Sequence, residues 1–125
     1  MNRTLIATLA SLVLSIATPT SVLADGSSYL RVVVVKTADP AAYAQELEKA
    51  KAITARLGIT VKTHVWRATF AGPDTGMIVV SQEYPSFIAF SEGSRKAMAD
   101  PEYLQFIRNL GKIRSVISDS LYQEL

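Results

Sequence analysis

The sequence predicts one α+β domain whose elements run strand, helix, strand, strand, helix, strand. Three observations carry this expectation. A Val-rich run extends from Tyr29 to Lys36, and two Asp-Pro pairs, Asp39-Pro40 and Asp100-Pro101, stand before stretches with helical apolar spacing. Between them, Ala71-Gly72-Pro73-Asp74-Thr75 separates two runs rich in β-branched and aromatic residues.

The chain of 125 residues opens on a different kind of segment. Arg3 supplies a positive start, Leu5 to Ala17 form an apolar stretch without charge, Pro19 breaks any helix, and Val22 and Ala24 are small residues placed for cleavage. An apolar stretch this short falls below the about 20 residues a spanning helix needs. Residues 1–24 therefore read as a signal peptide, and residues 25–125 as the mature domain, exported to the periplasm or the extracellular space. No Cys follows the apolar run, so a lipid anchor at the cleavage site is excluded.

Within the mature region, Val32 to Val35 give a first strand expected to be buried on both faces. Asp39 suits an N-cap, Pro40 a first helical position and Gly58 a left-handed stop, so a helix is predicted over 40–57. Tyr43, Leu47, Ala50, Ile53 and Leu57 form its apolar stripe, with Glu46, Glu48, Lys49 and Lys51 off it. The runs 60–70 and 76–84 read as a hairpin. Pro85-Ser86 begins a second helical region, and Asp100-Pro101 divides it into two consecutive helices ending at Gly111, with Phe87, Phe90 and Met98 expected in the helix core. A last strand is predicted over 113–121, where Val116-Ile117 blurs the alternation.

Composition removes several function classes. The formal charge of +2 falls to +1 once Arg3 is lost, and basic and acidic residues are interspersed, so no nucleic-acid footprint is present. Zero Cys excludes disulfides, thiolate zinc sites and Cys nucleophiles. His64 is the single histidine, and neither a hydrolase triad nor a metal-ligand spacing surrounds it; no cofactor or metal is expected. The segment from Gly72 to Gly76 lacks the Lys-Ser/Thr ending and strand-to-helix setting of a phosphate loop.

The candidate site residues are His64, Trp66 and Arg31. Strand alternation puts Lys62, His64 and Trp66 on one face and Thr63, Val65 and Arg67 on the other. Val61 and Val65 suit packing on helices, which turns His64 and Trp66 toward the open face. There an imidazole could move a proton and an indole could stack on a flat molecule; equally, Trp66 could fill a subunit seam and His64 hydrogen-bond locally. Arg31 on the first strand is a candidate to orient an anionic ligand. Arg67 is expected to neutralise a carboxylate or snorkel, and Tyr84 to pack.

The layout, together with Gly72-Pro73-Asp74-Thr75-Gly76 leading into Ile78-Val79-Val80, then Glu83-Tyr84-Pro85-Ser86 and Ala99-Asp100-Pro101-Glu102, resembles the dimeric α/β-barrel superfamily, which includes NIPSNAP and antibiotic-biosynthesis-monooxygenase proteins. The resemblance implies a ferredoxin-like βαββαβ monomer with a four-stranded antiparallel sheet, helices on one face, and a barrel formed by homodimerisation. Haem-degrading members combine a first-strand Asn, a Trp and a histidine on a helix; this chain offers only Trp66. Three readings follow: an exported dimer binding a small apolar or aromatic molecule without nucleic acid or, after cleavage, membrane; a cofactor-independent oxygenase or isomerase using His64; or a protein–protein interaction module.

Overall fold

The computed structural model describes residues 26–125, so the signal peptide expected over 1–24 lies outside the described residues. The first strand, β1 (Tyr29–Lys36), is followed by helix α1 (Pro40–Arg56), strand β2 (Lys62–Arg67), a 3-10 turn (Gly72–Asp74) and strand β3 (Ile78–Tyr84). Helices α2 (Phe87–Met98) and α3 (Pro101–Gly111) and strand β4 (Ser115–Gln123) complete the chain. The four strands form one sheet in the order β2-β3-β1-β4, with every neighbour antiparallel. This is the ferredoxin-like arrangement.

Local chemistry sets the element ends. Asp39 accepts a hydrogen bond from the Ala42 amide at 3.0 Å, Ser86 from Ala89 at 3.0 Å, and Asp100 from Tyr103 at 2.9 Å, so each helix has a side-chain N-cap. Pro40 and Pro101 stand in first turns, where no helical amide partner is lost. After α1 the chain reverses at Gly58, whose φ of 68° is the left-handed conformation anticipated there. Gly111, by contrast, is the last residue of α3 and has no positive φ; the helix ends by amide bonds from Lys112 and Ile113 back to Asn109 and Leu110.

The apolar stripe of α1 is buried as Tyr43, Leu47, Ala50 and Ile53, packing with Val33 and Val35 of β1, Ile78 and Val80 of β3, and Phe106 and Leu110 of α3. Val65 and Leu57 pack against this cluster from its edge. Val34, on the other face of β1, is also buried among its strand neighbours, but Val32 there is only half-buried and Leu30 is exposed, so the expected burial of β1 is complete on the helix side alone. Helix α2 departs from expectation. Met98 is 63% exposed and Phe87 lies at its surface; the buried residues of α2 are the small ones, Gly93 and Ala97. Close packing explains this: a Cβ on Gly93 would lie 2.8 Å from the Cγ2 of Ile59 and 3.6 Å from Tyr84, so the helix sits too near its neighbours for a larger side chain.

Strand β4 is an edge strand and carries a bulge. Its pairing with β1 shifts between Val34, opposite Ser118, and Val35, opposite Val116, leaving Ile117 as the extra residue. The Val116-Ile117 irregularity of the sequence is this bulge. Strand β2 is shorter than expected at both ends, and Phe70 is fully exposed in the connection to the 3-10 turn.

Candidate ligand cavity and open sheet face

Register and alternation assign every sheet position to a face. The helix-facing rows read Val65, Val80, Val33, Asp119 and then Thr63, Gln82, Arg31, Leu121 across the four strands. The opposite rows read Trp66, Val79, Val34, Ser118; then His64, Ser81, Val32, Ser120; then Lys62, Glu83, Leu30, Tyr122. His64 and Trp66 thus occupy the open face together, with ring centroids 5.7 Å apart. The indole Nε1 donates to Ser81 Oγ at 2.8 Å on the adjacent strand. Trp66 remains 56% exposed in the protomer, and Leu30 and Tyr122, further along the same face on β1 and β4, are exposed as well.

Arg31 does not join them. Its side chain lies on the helix side, where Nε and Nη2 donate to the two carboxylate oxygens of Asp119 at 2.9 and 2.7 Å. Strand parity corrects the grouping of Arg31 with His64 and Trp66 in one candidate site: Arg31 shares its face with Val33 and Val35, and four successive valines conceal that phase in the sequence. Arg67 has no carboxylate partner among the described residues. Tyr84 packs as expected, edge-on to Phe90 at 5.2 Å.

Between sheet and helices lies a cavity of ≈ 230 Å³. Val33, Leu47, Val80, Ala97, Phe106 and Leu110 give it apolar walls. Polar groups come from Thr63, Gln82, Tyr84 and Tyr103, and charge from Arg31, Arg114 and Asp119. Arg114 donates to the Tyr43 hydroxyl at 2.9 Å and places its guanidinium 5.9 Å from that ring's centroid. The bidentate bond from Arg31 holds the Asp119 carboxyl below the usual range, with the nearby Arg114 adding to the effect. Burial pushes the Tyr84 phenol up, partly offset by Arg31, so Tyr84 is a neutral hydrogen-bond donor at physiological pH.

Sequence reasoning missed Asp119, Arg114, Tyr103 and Gln82 as members of a site. Gln82 could have been found, because it shares strand parity with the apolar Ile78 and Val80. Asp119 could not, since its partner is 88 residues away and the bulge displaces its phase. Among the described residues no group of three or more His, Asp or Glu side chains could hold a metal ion, and no helix is long and apolar enough to cross a membrane.

No protein-family model matches the chain, and no curated protein matches it. Solved structures do. A NIPSNAP family protein from Agrobacterium tumefaciens superposes with a TM-score of 0.60 at 15% identity, covering 79% of this chain and 83% of its own. SnoaB, a cofactor-independent oxygenase from Streptomyces nogalater, gives a TM-score of 0.55 at 17% identity over 79% of this chain and 92% of its own. A dimeric ferredoxin-like protein from an uncultured marine organism gives 0.51 at 10% identity over 78% and 85%. At these identities the likeness is one of fold, and the chain has the ferredoxin-like α+β fold that NIPSNAP and SnoaB proteins share.

Proposed function

We propose that the mature protein is an exported homodimer that holds one small organic molecule per protomer in the cavity between sheet and helices. The observation that carries this reading is the cavity itself: apolar walls around a few convergent polar groups are the usual make-up of a small-molecule site. The open face suits a second copy. The rows of Trp66 and His64 contain no Lys, Arg, Asp or Glu and combine Trp66, Val79, Val34 and Val32 with His64 and three serines, while Lys62 and Glu83 stand in the next row, so the face is uncharged and of mixed polarity with charge at one margin. A solved structure with this fold is a dimeric ferredoxin-like protein. In this arrangement His64 and Trp66 serve the seam between protomers and not the ligand.

Export rests on the ordered charge, apolar run and small-residue exit of residues 1–24. Intact-mass measurement of the exported protein tests it: the expected N-terminus is Asp25, and retention of Met1 to Ala24 contradicts it. The ligand reading is tested by amide NMR with a library of small apolar compounds. Shifts should cluster at Val33, Tyr84, Gly93 and Ala97. Shifts confined to His64 and Trp66, or none anywhere, would overturn the cavity as the site. A second reading, catalysis without a cofactor, is favoured by one feature only: the cavity contains the phenol groups of Tyr84 and Tyr103 beside a guanidinium, a set able to hold a developing oxyanion.

A further inference from the structure

The charged residues lining the cavity do not balance. Arg31 and Arg114 face Asp119, and no other Lys, Arg, Asp or Glu among the described residues contributes to the lining, which leaves one positive charge in excess. Arg114 forms no ion pair with a described carboxylate; its one hydrogen bond goes to the Tyr43 hydroxyl. Arg31 spends Nε and Nη2 on Asp119, and its Nη1 edge donates to no described residue. A guanidinium presents five N–H donors in a fixed fork, so a second carboxylate can dock on that open edge without displacing Asp119.

Size narrows the class further. An engineered cavity of about 150 Å³ binds benzene, so ≈ 230 Å³ admits one ring with short substituents. The walls that would meet the ring are aromatic and aliphatic: Phe106, Tyr103, Val33, Val80 and Leu110.

Resting on the cavity reading above, we infer that the ligand is a compact organic monoanion, a single-ring or comparably sized monocarboxylate, with its carboxylate at Arg31 and Arg114 and its apolar body under α2 and α3. The three charged side chains come from separate parts of the chain: Arg31 from β1, Arg114 from the turn before β4, and Asp119 from β4 beyond the bulge. Asp119 has two roles. It accepts from Arg31 through two oxygens, one of which the Asn isostere keeps as an acceptor, and its own negative charge reduces the attraction for a second anion.

Benzoate, benzamide and toluene, similar in size and differing in charge and polarity, test this by titration calorimetry and amide NMR on the mature dimer. Benzoate should bind with shifts at Val33, Tyr84 and Gly93, and more weakly as salt is raised. Benzamide should bind at least about tenfold more weakly, the value expected for losing one charged hydrogen-bonding interaction. Arg114→Gln should weaken benzoate by about tenfold, whereas Asp119→Asn, which raises the cavity's positive excess, should tighten it; neither should change toluene binding. A merely structural role for these two residues would not give opposite signs for an anion and no change for a hydrocarbon. Equal binding of benzoate and benzamide, or Asp119→Asn weakening benzoate, overturns the monoanion assignment. Toluene shifts in the cavity without benzoate binding overturn it too and leave the cavity reading standing. No shift with any probe overturns both.

Discussion

Replacing Trp66 with alanine separates the seam from the core. A tryptophan offers up to ~250 Å² for burial, and 56% of Trp66 is exposed in the protomer. Roughly 140 Å² therefore remains to be covered by a second copy, worth roughly 3.5 kcal/mol at ~25 cal/mol per Å². A twofold interface contains the residue twice, so the upper bound is roughly 7 kcal/mol; ordering and imperfect packing consume much of such area terms. A rise of about 100-fold in the dimer dissociation constant, about 2.7 kcal/mol, is a conservative expectation. Were Trp66 part of the protomer core, truncation would instead lower monomer stability by about 3–5 kcal/mol. Sedimentation velocity over a micromolar concentration series reads the first quantity, and denaturant midpoints at fixed concentration read the second. A parent protein that stays monomeric throughout, or a Trp66→Ala dimer as tight as the parent, refutes the seam.

Other expectations follow from named contacts. Gly93→Ala gains about 1 kcal/mol of helix propensity but drives a methyl against the branched Cγ2 of Ile59, an overpacking of about 1–3 kcal/mol; a lowered denaturant midpoint is expected, and an unchanged or raised one contradicts the close approach of α2. Leu110→Ala, at a site only 1% exposed, should lose about 2–5 kcal/mol; a loss under about 1 kcal/mol would mean that the side of the core closed by α3 is not tightly packed. Asp119 and Asp100 both have lowered pKa values, chiefly through hydrogen bonds from Arg31 and Arg56. A depressed folded-state carboxyl contributes stability above its unfolded value and loses it as pH falls through the folded one, so thermal midpoints should hold from neutral to about pH 5 and fall below about pH 4. Asp119→Asn should reduce that fall, and a parent midpoint unchanged down to about pH 2 would contradict the two ion pairs.

Turn chemistry and periodicity made the element order legible. Asp39, Ser86 and Asp100 cap the helices that their types and positions announce, and the stripe from Tyr43 to Ile53 is the buried face of α1. The face of β2 was readable because Val61 and Val65 share one parity while Lys62 and His64 share the other, whereas the phase of β1 was not, because Val32 to Val35 alternate with nothing. That loss of phase put Arg31 with the wrong companions. Helix α2 misled for another reason: Phe87 and Met98 look like core by type, but the distance from helix to sheet is set by Gly93 and Ala97, a close approach that depends on Ile59 and Tyr84 far away in sequence. The charge imbalance of the cavity arises only once β1 and β4 lie side by side, so no local pattern carries it.

The extra residue in β4 gives that strand one unit of slack. Val116 and Asp119 both face the helices although three positions separate them, an odd interval that a regular strand would divide between two faces. Removing Ile117 restores strict alternation with Val116, Ser118 and Asp119 still opposite Val35, Val34 and Val33. A first one-residue deletion here is absorbed as straightening; a second would turn Asp119 away from Arg31 and empty the cavity of its carboxylate. The same kink lies on an outer strand of the sheet, where a flat nine-residue edge would invite pairing with a neighbour's backbone. Straightening β4 would therefore keep the cavity intact and remove a guard against strand-to-strand association.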